Sequence, residues 1–294
     1  MYLHKRGLRK RLLSVALCVV LSFFLVAAAL PAVVAKAHAE QQLFGNNDEA
    51  NSDILENNSR AVPATYTVQY DYYTVEEVVH KSAPSYRGLG STTDCGPITG
   101  LNVMVFFDRW YVNLIRGFEP GVLDSSGNYI YNEDASNELT QNTYRSIYSY
   151  MGTTSEGTTE KGFKNGLNAY VESTKYTLSP SSMYQSSKTV NLISLKTAIE
   201  KNRVGVLFLK NYNFALNIVD LKEYKMMSVG KINYSEPHIM MVYGYKKIAY
   251  YKNGSNFRTD TFLYASSGTD AANRGYILMN QDLTIVDAVV YAVF

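Results

Sequence analysis

Residues 65–73 run Thr-Tyr-Thr-Val-Gln-Tyr-Asp-Tyr-Tyr, a β-branched and aromatic stretch that predicts a strand near the start of the fold. From 97 to 115 the pattern changes: Ile98, Leu101, Val103, Met104, Phe106 and Trp110 fall on nearly all sides of a helical wheel. This predicts a long buried helix, with Pro97 suited to its first turn. Amphipathic spacing predicts further helices over 137–151, 160–173 and 191–202, the first two separated by a Gly/Thr loop at 152–162. The second half reads as strands at 204–209, 238–245, 257–265, 275–279 and 285–294, with an Asn253-Gly254 hairpin turn. Helices that precede antiparallel strands, instead of alternating with them, predict an α+β class.

The first 39 residues follow another rule. Lys5, Arg6, Arg9, Lys10 and Arg11 precede an almost wholly apolar run at 12–34, and Ala37-His38-Ala39 fits a small-x-small cleavage site. A signal peptide cut before Glu40 is the expectation. The apolar run is also long enough for an uncleaved anchor, since about 20 residues span a bilayer. Residues 40–63, rich in Asn, Asp, Glu and Ser, read as a disordered linker or short pro-segment, leaving 64–294 as one domain. The leader holds six of the 28 basic residues and no acidic one, so 22 basic side chains remain against 26 acidic. That balance excludes nucleic acid as a partner, because phosphate binding needs a basic footprint. The expected location is outside the cell, with no membrane attachment once the leader is cut.

Cys18 leaves with the leader, so Cys95 is the lone thiol of the exported chain and no intrachain disulfide forms. A lone thiol in an oxidising compartment is either packed as a small apolar residue or kept for its reactivity. Asp94-Cys95-Gly96-Pro97 sets it at a helix start, where free N–H groups and the helix dipole favour the thiolate. Asp94 reads as the N-cap, since a carboxylate acting on the thiol would raise its pKa. A thiol nucleophile needs a base that later protonates the leaving group, a role suited to histidine. Two histidines lie beyond the leader. His80, in Val78-Val-His-Lys81, reads as a solvated surface residue, whereas His238 opens the apolar run His-Ile-Met-Met-Val-Tyr-Gly-Tyr245 and is the expected base. As a thiolate–imidazolium pair the two would ionise below the free-thiol value of about 8.5. One cysteine and two histidines are too few for a zinc centre, and no nucleotide loop is present, so neither metal nor cofactor is expected.

Asp-Cys-Gly-Pro at the head of a buried helix, followed about 140 residues later by His-Ile-Met-Met-Val-Tyr-Gly-Tyr, resembles the papain-like cysteine peptidases related to bacteriocin-leader-processing enzymes. The helix-then-strand segment 195–208 resembles theirs too, and the likeness covers roughly 88–280. It implies a papain-like fold, in which a helical N-terminal half with a buried nucleophile helix packs on a C-terminal antiparallel sheet or half-barrel. It also implies a secreted thiol peptidase acting on a peptide or protein through an acyl-enzyme at Cys95, with His238 as general base and acid. The family's third group, an Asn or Asp, is replaced by Tyr264-Ala-Ser-Ser-Gly268, which offers Ser266 or Ser267, with Asp270 as a nearby carboxylate. Ser266 is the expected third catalytic residue. The family's Gln before the cysteine is replaced by Gly90-Ser-Thr-Thr93, so a hydroxyl of this loop and the Cys95 amide are the expected oxyanion donors. Two other readings keep the same residues: a cell-wall peptide amidase, and an inactive peptidase-like binding or adhesion module.

Overall fold

The computed structural model of this chain describes residues 61–87, 89, 93–268 and 274–294. The leader, and all of the linker before Ala61, lie outside the described residues. Its first two elements are strands, β1 (Ala61–Gln69) and β2 (Tyr72–Val79). The chain crosses between them at Tyr70 and Asp71, whose amides bond to the carbonyls of Lys225 and Tyr251. Four helices follow, α1 (Cys95–Asp108), α2 (Glu138–Met151), α3 (Glu160–Glu172) and α4 (Leu192–Glu200). Short strands interleave with them: the hairpins β3 (Gly121–Leu123) with β4 (Tyr129–Tyr131) and β6 (Tyr184–Ser186) with β7 (Thr189–Val190), and β5 (Leu178–Ser182) before the second hairpin. The rest is β8 (Val204–Leu221), β9 (Met226–Tyr234), β10 (His238–Lys252), β11 (Ser255–Ser266), β12 (Arg274–Leu278) and β13 (Thr284–Val293).

The expected helical N-terminal half is not present. Of the described residues, 46% are in strands and 24% in helices, and the fold is an antiparallel sheet with helices inserted into it. The sheet runs β1-β9-β8-β12-β11-β10-β2, with β13 on β8 and β5 on β13. Both early strands therefore belong to the same sheet as the late ones, and the papain-like assignment of fold is corrected accordingly. The physical reason lies in β2, whose centre carries two acidic residues, Glu76 and Glu77. In the fold they stand opposite Lys247 and Lys246 of β10, and Lys246 pairs with Glu77 at 3.5 Å. Opposite charges across a strand pair favour the pairing that the pattern concealed.

The eighteen residues of β8 tie the sheet together. Its first part pairs with β10 and β13, and its second with β9 and β12. Because β8 also bonds β10 directly, the path β8-β12-β11-β10 returns on itself. The apolar interior of this ring includes Leu207, Phe214, Met240, Val242, Leu263 and Ile277. On another face α1 is buried along its whole length after Cys95 and packs against α2 and β10. It stops at Asp108, seven residues short of expectation, where Asp108 Oδ1 accepts the Ile115 amide at 2.8 Å. Trp110 and Val112 beyond it are exposed. Among the described residues no helix is long and apolar enough to cross a membrane.

Candidate active site

Cys95 is the first residue of α1 and is half-buried, and it is the free thiol of the described chain. The following Gly96 is required by a close approach: a Cβ there would meet Thr158 Oγ1 at 2.4 Å and Thr158 Cβ at 2.5 Å. Thr158 is itself fixed by a 2.7 Å bond to Thr153 in the loop between α2 and α3. Asp94 occupies the N-cap position, but its side chain makes no capping bond. It is buried and accepts the Tyr144 hydroxyl on Oδ2 at 2.6 Å, so it joins α2 to the start of α1.

His238 opens β10 and is buried. The amides of Ile239, next to His238, and of Gly96 favour the thiolate form of Cys95. The carbonyl of the same Ile239 accepts the Thr99 hydroxyl at 2.8 Å. Thr99 lies one helical turn beyond Cys95, on the same face. Helix and strand are thus fastened at the carbonyl of the residue next to His238. The start of α1, which bears Cys95, and the start of β10, which bears His238, are packed against each other.

The imidazole is held by the main chain. His238 Nε2 lies 2.7 Å from the Ser267 carbonyl oxygen. A carbonyl only accepts, so Nε2 carries the proton and, in the neutral ring, Nδ1 is left with its lone pair. The Ser266 hydroxyl does not take part: it donates to the Pro84 carbonyl at 2.8 Å in a fully buried position. Gly268 follows Ser267 at φ +70°, a left-handed turn that suits glycine. Asp270 lies outside the described residues, as do Gly90, Ser91 and Thr92 of the expected oxyanion loop. Thr93 Oγ1, at its end, donates to the Thr154 carbonyl at 3.4 Å. Tyr212 of β8 stacks on His238 with centroids 5.3 Å apart, and Tyr234 stacks on Tyr212 at 4.7 Å.

The surroundings of the thiol differ from what its place on the helix implied. Burial pushes Cys95 up to about 11; the Ile239 and Gly96 amides oppose this, and the charges of Asp94 and Glu236 add to it. Burial holds His238 below the usual histidine value, against the raising effects of the Ser267 bond and of Glu236. Both shifts favour the neutral thiol and the neutral imidazole over their charged forms.

His80, read as a surface residue, is partly buried, bonds the Arg203 carbonyl through Nε2 at 2.8 Å and packs on Phe106. Among the described residues no group of three or more His, Cys, Asp or Glu side chains is placed to hold a metal ion. Sequence reasoning missed Thr99, Tyr212, Glu236 and the Ser267 carbonyl. Thr99 had a signal, being a polar residue four positions after Cys95 on an apolar helix. No local pattern marks Tyr212, because the register of β8 and β9 brings it to the site. No family model, curated protein or solved structure matches this chain.

Proposed function

We propose that the chain is a secreted thiol peptidase that hydrolyses peptide bonds through an acyl-enzyme at Cys95. The observation that carries the reading is the packing of the start of α1, which bears the lone thiol, on Ile239 next to His238, whose imidazole tautomer is set by the Ser267 carbonyl. In the first step the Cys95 sulfur attacks the substrate carbonyl carbon while its proton passes to His238 Nδ1. The tetrahedral adduct then collapses: the C–N bond breaks, Nδ1 gives the proton to the departing amine, and a thioester remains on Cys95. Water attacks that thioester with Nδ1 taking a proton, the C–S bond breaks, and the proton returns to sulfur as the carboxylic acid product leaves. The Ser267 carbonyl orients the ring but brings no charge, so it stabilises the transient imidazolium less than a carboxylate does.

The order of the Asp-Cys-Gly-Pro and His-Ile-Met-Met-Val-Tyr-Gly-Tyr motifs supports the same chemistry, and the basic start, apolar run and Ala-His-Ala ending support export. The test is hydrolysis of a peptide library by wild type, Cys95→Ala, His238→Ala and the double variant, with N-terminal sequencing of the exported protein. Each single change should lower turnover by about 100- to 10,000-fold. The double variant should be little worse than either, because both residues serve one step. Hydrolysis that survives Cys95→Ala would remove the assignment.

One observation favours a second reading. The desolvated thiol, pushed up to about 11, and the uncharged support of the imidazole suit an inactive relative that binds peptides without cutting them. Peptide binding by wild type with no hydrolysis and no thioester on Cys95 would put that reading first.

A further inference from the structure

A hydrogen bond at one edge leaves a planar ring free to swing about the bond, so the Ser267 carbonyl alone does not fix the His238 imidazole. The second constraint comes from β8. That strand pairs with β10 at Leu209, opposite His238, and has passed to β9 by Tyr212, opposite Tyr234. At this change of partner the Tyr212 ring lies on the imidazole, with centroids 5.3 Å apart and 27° between the planes. Tyr234 stacks on the Tyr212 ring at 4.7 Å and 14°, so two tyrosines and the histidine form one column. Tyr212 and His238 are both buried. Burial also holds the Tyr212 phenol well above its usual value, so a neutral ring meets the imidazole.

The face of an aromatic ring is electron-rich and attracts a cation within about 6 Å of its centroid, more strongly where water is excluded. The peptidase mechanism makes such a cation at His238 in each of its two halves, and the Ser267 carbonyl brings no charge to meet it. The titratable and charged groups about the ring are Tyr212 on β8, Tyr234 behind it on β9, Glu236 ahead of β10, and Cys95 on the helix packed against the start of β10. We propose that Tyr212 is a positioning residue for His238: its ring fixes the plane of the imidazole about the Ser267 bond and stabilises the imidazolium as it forms. The effect on turnover rests on the peptidase reading; the hold on the imidazole and on its proton does not.

The experiment separates the two. The imidazole resonances of the full exported chain are followed by NMR against pH in wild type, Tyr212→Phe and Tyr212→Leu, with His80 as the internal comparison and circular dichroism as the check on folding. Tyr212→Leu removes the aromatic face and should lower the proton affinity of His238 by about tenfold. Tyr212→Phe keeps the face and should stay within about twofold of wild type, and His80 should titrate alike in all three. In parallel, Tyr212→Leu should lower kcat on one peptide by about tenfold with KM nearly unchanged, and Tyr212→Phe should keep most of the rate. An unchanged or raised proton affinity of His238 in Tyr212→Leu overturns the proposal, and so does a loss in Tyr212→Phe as large as that in Tyr212→Leu. Should Tyr212→Leu not fold, two measurements still decide: wild type must show Overhauser contacts between the Tyr212 ring and the imidazole C–H protons, and Tyr212→Phe must titrate as wild type does. Failure of either overturns the proposal. A normal His238 titration shift with no peptide cleaved by wild type removes the effect on turnover through the failure of the peptidase reading and leaves the hold on the imidazole supported.

Discussion

Desolvation acts on Cys95 and His238 toward the same outcome, since it penalises the anion at one and the cation at the other, and the pair rests as two neutral groups. The consequence is a specific pH dependence. Alkylation follows the thiolate fraction, so iodoacetamide labelling of Cys95 should be slow near neutral pH and keep rising above pH 9. A thiol near 11 holds roughly three-hundredfold less thiolate at pH 7 than a free thiol near 8.5. His238→Ala should leave that profile in place while removing hydrolysis, because the imidazole acts during attack and not by ionising the thiol beforehand. A labelling plateau below pH 7 that disappears in His238→Ala would show an ion pair instead. The candidate site was legible in the sequence at the two side chains on which the proposed chemistry rests, Cys95 and His238. It was not legible where the main chain supplies the group. A Ser-Ser pair advertises hydroxyls, yet the imidazole partner is the Ser267 carbonyl, and any residue at that position carries one.

At the scale of elements, the contact that sets the thiol against the His238 peptide is the seam between α1 and β10, and Thr99 is its polar fastener. We expect Thr99→Val, which keeps the volume and removes the hydroxyl, to lower kcat with KM nearly unchanged. A displacement of the nucleophile of about 1 Å is enough to cost about a hundredfold. Thr99→Ser should restore most of the loss, because it restores the donor. Steady-state kinetics on one peptide, with thermal unfolding of each variant, decides it: an equal loss in Thr99→Ser, or a change in KM alone, removes Thr99 as a positioning residue. Elements were the most legible level of the fold. The helices over 138–151, 160–172 and 192–200 and most late strands lie close to where hydrophobic spacing puts them, and the Asn253-Gly254 turn closes β10 onto β11. β9 gave no alternating pattern, and β8 runs twelve residues past the end expected for it, because partners on both sides support its polar second part. Cross-strand pairing of that kind has no local signature.

Over the whole molecule, three titratable groups, two buried and one partly buried, set opposing slopes of stability against pH. His80 and His238 are held below the usual histidine value of 6.5 by burial. Below that value the unfolded chain takes up protons that the folded chain refuses, so their contribution is intact above 6.5 and is lost as the pH falls through and beneath it. Asp108 acts the other way. It is buried at the end of α1, Oδ2 has no partner among the described residues, and burial raises its carboxyl from 3.8 to about 6, against the Ile115 and Leu114 amides. Between those values the folded chain holds a proton that the unfolded chain has released, so this contribution is present below 3.8 and lost as the pH rises through about 6. The slopes partly cancel between pH 4 and 6.5, and wild type should show a shallow profile there. Asp108→Asn keeps an oxygen for the Ile115 amide and removes the buried charge, at the smaller cost of an amide group without an acceptor. We expect it to be more stable than wild type at pH 7.5, by something on the order of 2 kcal/mol. The advantage should vanish by pH 4, so that the histidine slope stands exposed between pH 4 and 6.5. Urea unfolding at half-unit steps of pH measures both curves. Parallel curves for wild type and Asp108→Asn would show that Asp108 ionises in the folded protein as it does in the unfolded chain, and that the acid limb of stability has another source.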